Sequence, residues 1–396
     1  MRSVQHNIRY LSIIQVLRYC MVMMPIITLF FTTVGLTMYD IMVTQAVFSA
    51  VIFLFEIPSG YFSDVLGRRT TMIIGVLLGV AGFGVYCVAT GFWSILLAEC
   101  VLGIGASFIS GTDSALMFDS LAELGQTERS IEQEGKQISF GNFSEAVAGI
   151  VGGLLAIISI RTPLYIQTGI LAMAIPFAFL LVEPKRHTYS NELGTFKGIW
   201  EISKWAVLSH LRLRWLILYS GILGAATLTM VWFIQPYMVR CGLPVGYFGF
   251  AWAALNLSVG FFSFNAHNLE RKFGERVVVA GLLIVVVLGY ILTSMHEALW
   301  MIPALLCFYF VRGMNNPIFT TYINQMVPSD RRATVLSARQ LVTRTIFIVT
   351  GPISGWVSDH YSMSTALLSC GLVFLLTGGI MLIYVERDLT PEAEVA

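Results

Sequence analysis

Twelve separate stretches of this chain are apolar for long enough to cross a lipid bilayer, and that repetition limits the fold more than any single motif does. A helix needs about 20 such residues to span the hydrocarbon layer. The stretches lie near residues 11 to 34, 41 to 62, 71 to 91, 94 to 119, 138 to 160 and 164 to 182, and then near 215 to 236, 244 to 264, 277 to 294, 299 to 322, 336 to 357 and 363 to 384. The expected fold class is an all-α polytopic membrane protein. Composition agrees: 56% of the residues are hydrophobic and only 12% charged, about half the charge of a soluble chain. The first stretch is too long for a signal-peptide core and no small-residue cleavage site follows it, so it is expected to remain as the first membrane helix.

The polar residues divide the stretches six and six. Residues 183 to 214 form the longest polar interval and hold Lys185, Arg186, Lys197, Lys204, Arg212 and Arg214, which predicts a cytoplasmic linker between an N-terminal half, 1 to 182, and a C-terminal half, 215 to 396. Eighteen lysines and arginines fall on the termini, the linker and the loops of that side, against only Arg161 and Arg240 on the other. Basic loops stay in the cytoplasm, so both termini are expected there and the protein in the cytoplasmic (inner) membrane.

Several function classes are disfavoured. A net charge of +1 without a long basic run points away from nucleic acid. The six cysteines form no C-x-x-C pair and sit in or beside apolar runs, which predicts neither a disulfide framework nor a zinc site. There is no G-x-x-x-x-G-K-[ST] loop for ATP and no H-E-x-x-H pattern among the six histidines, so neither an ATP-driven pump nor a membrane metalloenzyme is expected, and no cofactor is implied.

Between the second and third stretches runs EIPSGYFSDVLGRRT, Glu56 to Thr70. Its glycines permit turning and close backbone approach, while Asp64, Arg68 and Arg69 make a charge cluster at the membrane face. A shift of 207 residues puts Gly67 on Gly274, and one of 208 carries Gly105 onto Gly313, so the halves read as an internal duplication. The second copy has lost the aspartate, and its loop contact is expected to differ. The connector resembles the G-x-x-x-D-x-x-G-R-R/K loop of the major facilitator superfamily, on Gly60, Asp64, Gly67, Arg68 and Arg69. The resemblance extends over nearly the whole chain, and EIPSG and SGTDSALMFDSL look like bacterial drug and metabolite efflux members. It implies twelve transmembrane helices in two pseudo-symmetric six-helix halves, with alternating access to a site near mid-membrane.

Ionisable residues inside the stretches are the functional candidates: Arg18, Glu56, Glu99, Asp113, Asp119, Glu145, Arg312, Arg339 and Arg344. Each costs at least a few kcal/mol against lipid, so each is expected to face protein or water. A structural ion pair is the competing role for any of them. Glu56 and Arg18 are in reach of one another across helices 1 and 2, and Glu56 adjoins the loop, which suggests gating; Arg18 shares a face with Gln15 and is also a substrate candidate. On helix 4, Glu99 and Asp113 fall at heptad spacing on one face, while Asp119 is turned about 120° away, toward the Asp64 loop and an inward gate. The family's helix-4 motif has an arginine where Glu99 stands, so that arginine's role does not carry over directly.

Helix 5 aligns Asn142, Glu145, Gly149 and Gly152 in one stripe without the glycine-proline step of drug–proton antiporters. Glu145, Asp113 and Glu99 are the candidate proton-coupling carboxylates. In the second half Arg312, Asn316 and Arg344 are candidate substrate contacts, either for an anionic group or as a latch onto the first-half acids. The expected function is a secondary transporter, proton-coupled and exporting a small organic molecule, acting as a monomer with protons and membrane lipid as its other partners. Alternatives are a dedicated carrier of a siderophore or organic anion and, more distantly, a sensor or lipid-moving protein on the same fold.

Overall fold

The computed structural model of the chain describes residues 4–184, 211–328 and 331–389. Lys185, Arg186, Lys197 and Lys204, four of the basic residues expected in the linker, lie outside them. No strand occurs among the described residues. The helices run α1 Gln5–Tyr19, α2 Ile27–Thr33, α3 Met38–Leu66, α4 Arg68–Val88, α5 Phe92–Ile109, α6 Thr112–Glu123, α7 Ser130–Ile158, α8 Thr162–Ala172, α9 Ala174–Leu180, α10 Leu211–Arg240, α11 Phe248–Phe273, α12 Glu275–Met295, α13 Leu306–Met326, α14 Arg332–His360 and α15 Met363–Leu389.

Three expected spans are broken, each for a local reason. Pro25 lacks an N–H and sits in a short 3₁₀ turn, Met24–Ile26, that separates α1 from α2. Pro176 clashes with the carbonyl four residues before it, and the helix restarts between α8 and α9 at Met173. The fourth span breaks at Gly111, whose φ of 75° lies in the left-handed region. That last break corrects one expectation. Glu99 is on α5 and Asp113 on α6, so the heptad spacing no longer puts them on one face.

Ten helical segments among the described residues are long and apolar enough to cross a membrane. The expected tenth and eleventh spans are helical too, as α13 and α14, but fall short on composition. Arg312, Asn315 and Asn316 lower the apolarity of the first, and Arg339, Gln340 and Arg344 that of the second. These are the same residues that make them candidates for a site.

The helices form two compact units. Described residues 4–36, 47–184 and 244–253 make up the first, and 37–46, 211–243 and 254–389 the second. In the first, α4 and α5 approach through glycines, a Cβ on Gly105 lying 3.1 Å from the Gly75 carbonyl oxygen. Fully buried Asn7 donates to Ser120 Oγ at 2.9 Å and the Val182 carbonyl at 2.8 Å, and accepts from the Val182 N–H at 2.9 Å. One amide thus joins α1, α6 and the chain leaving α9. In the second unit the buried Tyr219 and Tyr290 hydroxyls donate to the carbonyls of Val279 and Ala226, each at 2.7 Å, tying α10 to α12.

The duplication is visible in the backbone. Gly67 has φ 101° and ψ 145°, and Gly274 has φ 82° and ψ 155°, each immediately before the next helix. Only glycine adopts that conformation readily.

Candidate functional site

The loop around Gly67 is the first cluster. Its turn ends α3 and starts α4, leaving the first N–H groups of α4 without intrahelical partners. Glu183 supplies them: Arg68 N–H donates to Oε1 at 2.9 Å and Arg69 N–H to Oε2 at 2.8 Å. A carboxylate at a helix N-terminus is favoured by the local dipole as well as by the hydrogen bonds. Arg68 Nη1 is 3.0 Å from Asp119 Oδ2, and Arg69 Nη2 donates to the Phe179 carbonyl at 3.0 Å. The loop therefore binds α6, α9 and the residue at which the polar linker was expected to begin. Asp64 and Gly60 are exposed, and Glu56 is half-buried one turn before them. The second-unit loop makes another contact, the Tyr322 hydroxyl donating to Glu270 Oε1 at 2.7 Å.

A second cluster lies on α1 and α6. Arg18 Nη1 sits 3.4 Å from Asp113 Oδ2 and 3.5 Å from Gln15 Oε1, with both charged side chains partly buried. The cation recorded for Asp113 is thus Arg18, and that for Asp119 is Arg68. Glu99 is buried within α5 and faces the Tyr86 hydroxyl, whose ring packs with Phe30, Phe31 and Phe83. Glu145 is half-buried on α7, and Ser144 beside it donates to the Val16 carbonyl at 2.9 Å. These contacts do not bring the three candidate carboxylates together. They lie on α5, α6 and α7.

The third cluster is in the second unit. A cleft of about 470 Å³ is walled by α10, α13 and α14 and lined by Arg312, Asn315, Asn316, Arg339, Gln340 and Arg344, among others. Arg339 is buried; its Nε donates to Ser220 Oγ at 3.0 Å, its Nη2 to the Asn315 carbonyl at 3.0 Å, and its Nη1 to Thr320 Oγ1 at 3.2 Å and Asn316 Oδ1 at 3.4 Å. Every one of these acceptors is neutral. Arg312 is exposed on the cleft, 6.0 Å over the Tyr309 ring. Neither Arg312 nor Arg339 enters an ion pair among the described residues.

Of three further participants, sequence reasoning named Arg339 without its partners and missed the other two. Arg339 was an intramembrane charge, but it lies about 140° around the helix from Arg344, and only its network reveals how it serves the cleft. Glu183 looked like linker, since its partners are backbone N–H groups that no motif records. Asp359 is the third, accepting from the Met38 N–H at 3.1 Å and the Tyr39 N–H at 2.7 Å at the start of α3. Gly355, one turn earlier on α14, allows that approach, because a Cβ there would lie 2.7 Å from the Met38 carbonyl oxygen.

Comparison with known proteins adds a family match. The model of the Major Facilitator Superfamily matches residues 11–352. The quinolone resistance protein NorA of Staphylococcus aureus is 19% identical over 92% of this chain and 92% of its own. The inner membrane transport protein YajR of Escherichia coli is 24% identical over 80% of this chain and 67% of its own. Among solved structures, the nucleoside transporter NupG superposes with a TM-score of 0.78 at 15% identity, covering 98% of this chain and 100% of that one.

Proposed function

The chain belongs to the Major Facilitator Superfamily, and from this premise we propose that it is a proton-coupled secondary transporter that exports a small organic molecule. Similarity to a quinolone resistance protein supports export, and similarity to an inner membrane transport protein supports residence in the cytoplasmic membrane. The excess of basic residues on one set of loops supports cytoplasmic termini. In this reading the halves 1–182 and 215–396, joined by 183–214, alternate as a monomer about a substrate site, with Glu56, Asp64, Arg68, Arg69 and Asp119 in the inward gate.

The observation that carries proton coupling is the Arg18–Asp113 pair on α1 and α6. Ionised Asp113 holds Arg18, whereas protonated Asp113 keeps a hydrogen bond at most. Loss of the Asp113 charge would therefore leave Arg18 without this acid and loosen α1 from α6. A coupling site must have this property of favouring one conformation in each protonation state. Glu145 and Glu99 remain the other coupling carboxylates to test.

Purified protein in proteoliposomes, read with a pH-sensitive dye against a panel of cationic drugs, organic acids and siderophores, tests the reading. One compound class is expected to move protons, and Asp113→Asn, checked for folding, is expected to reduce that movement at least tenfold. Wild-type protein that moves a compound without moving protons refutes proton coupling. Undiminished proton movement in Asp113→Asn refutes Asp113 as the carrier.

A further inference from the structure

We infer that the second-unit cleft is a binding site for a small organic anion that also carries a hydrogen-bond donor, a hydroxy or amino carboxylate in kind. The inference rests on the transport reading for its biological role, but not for its chemistry. Three features of the cleft carry it.

First, two of its guanidiniums meet no acid among the described residues. Arg339 is buried and bonded only to neutral oxygens, and Arg312 has only the Tyr309 ring among the described residues. A buried guanidinium served only by neutral acceptors, as Arg339 is, is costly unless an anion meets it. Arg344 adds a third guanidinium to the same lining. The fork geometry of arginine matches a carboxylate or a phosphate oxygen pair.

Second, a residue of the lining keeps an unused acceptor. Asn315 is 8% exposed, and its Oδ1 has no hydrogen-bond partner. Its orientation is set, because Nδ2 donates to the Ser220 carbonyl at 3.2 Å. A buried acceptor left empty costs desolvation without return. A hydroxyl or ammonium on the ligand would meet it, and a bare carboxylate would not.

Third, the positioning is rigid. Ser220 receives Arg339 Nε and gives its carbonyl to Asn315, so α10, α13 and α14 hold both recognition groups in one network. Volume agrees with the class: about 470 Å³ falls in the range of small-ligand pockets.

The test is direct binding to the full-length protein in maltoside micelles at physiological salt, by calorimetry. The probes are three matched pairs that differ by one hydroxyl, lactate with propionate, malate with succinate and citrate with tricarballylate, together with glycerol 3-phosphate and, as the opposite charge, tetraphenylphosphonium. At least one hydroxylated anion is expected to bind at least tenfold tighter than its partner, with Arg312→Gln weakening it at least tenfold. Arg312 is exposed, so this variant keeps the fold; Arg339→Lys is the second variant, expected to weaken the same anion. Binding of tetraphenylphosphonium alone, no binding by any anion, or equal affinity in Arg312→Gln overturns the inference. Preference for glycerol 3-phosphate keeps the anion and the donor and assigns the acid as phosphate. Counterflow of the bound anion in proteoliposomes is a separate measurement: binding without movement defeats the transport reading and leaves the site standing.

Discussion

Replacing Gly67 by alanine should cost more stability than the same change at Gly274, and the difference should come from one carboxylate. Both residues hold nearly the same backbone conformation, φ 101° and ψ 145° against φ 82° and ψ 155°, so the strain of adding a Cβ is common to both. That strain is of order 1–3 kcal/mol. Around Gly274 a new Cβ meets nothing within 4 Å. At Gly67 it would lie 3.0 Å from Glu183 Oε2, 3.1 Å from Cδ and 3.2 Å from Oε1. The carboxylate must retreat by a few tenths of an ångström, and that stretches the 2.9 and 2.8 Å bonds it accepts from Arg68 and Arg69. Bonds to a charged acceptor contribute about 1.5–3 kcal/mol each, so losing about a third of the two leaves an excess of about 1–2 kcal/mol.

Equilibrium unfolding in mixed SDS–maltoside micelles measures both single variants, and a Glu183→Ala background completes the cycle. In that background the carboxylate is gone and Gly67→Ala should cost only what Gly274→Ala costs. A coupling of about 1–2 kcal/mol between residues 67 and 183 is expected. Equal costs at the two glycines, or a Gly67 cost unchanged without Glu183, would refute the view that the Gly67 loop is held by a carboxylate cap.

Two further outcomes follow from the same chemistry. Asn7→Ala removes three hydrogen bonds and leaves the half-buried Val182 N–H and carbonyl without the Asn7 amide, so a loss of about 2–4 kcal/mol is expected by the same unfolding assay; a loss below about 0.5 kcal/mol would mean that the clamp on α1, α6 and the exit from α9 is incidental. Asp359→Asn keeps one acceptor for Met38 and Tyr39 but loses the charge at the start of α3. About 1 kcal/mol is at stake at this exposed position, so exchange of those two amides should quicken about fivefold while amides of α12 stay unchanged.

Much of the fold was legible because a membrane span announces itself by length and apolarity alone, and a glycine turn between charged residues announces a connector. The breaks were less so. Pro25 and Pro176 are written in the sequence, but the proline at 58 lies inside the continuous helix α3, as the one at 317 does inside α13, so proline alone does not tell a break from a tolerated residue. Gly111 gave no warning, being one glycine among several on an otherwise helical stretch. Its left-handed φ interrupts the helix and displaces the phase relation between Glu99 and Asp113. For the site, charged side chains inside spans leave a readable trace but their pairing does not, since Arg18 was expected within reach of Glu56 and meets Asp113; Glu183 and Asp359 act on backbone N–H groups, which every residue but proline has.

The two copies of the duplicated unit retain one backbone turn and diverge in what they do with charge. In the first, Arg68 faces Asp119 and Arg18 faces Asp113, so each of these cations has an acid supplied by the chain itself. In the second, the loop closes through a Tyr322–Glu270 hydrogen bond, and Arg312, Arg339 and Arg344 line a cleft. Fold stability does not explain that arrangement: a buried Arg339 served by neutral oxygens contributes less than a well-packed apolar residue would, and costs more to desolvate. An anionic ligand would offset that desolvation cost, so the polar helices of the second unit are where specificity should be sought.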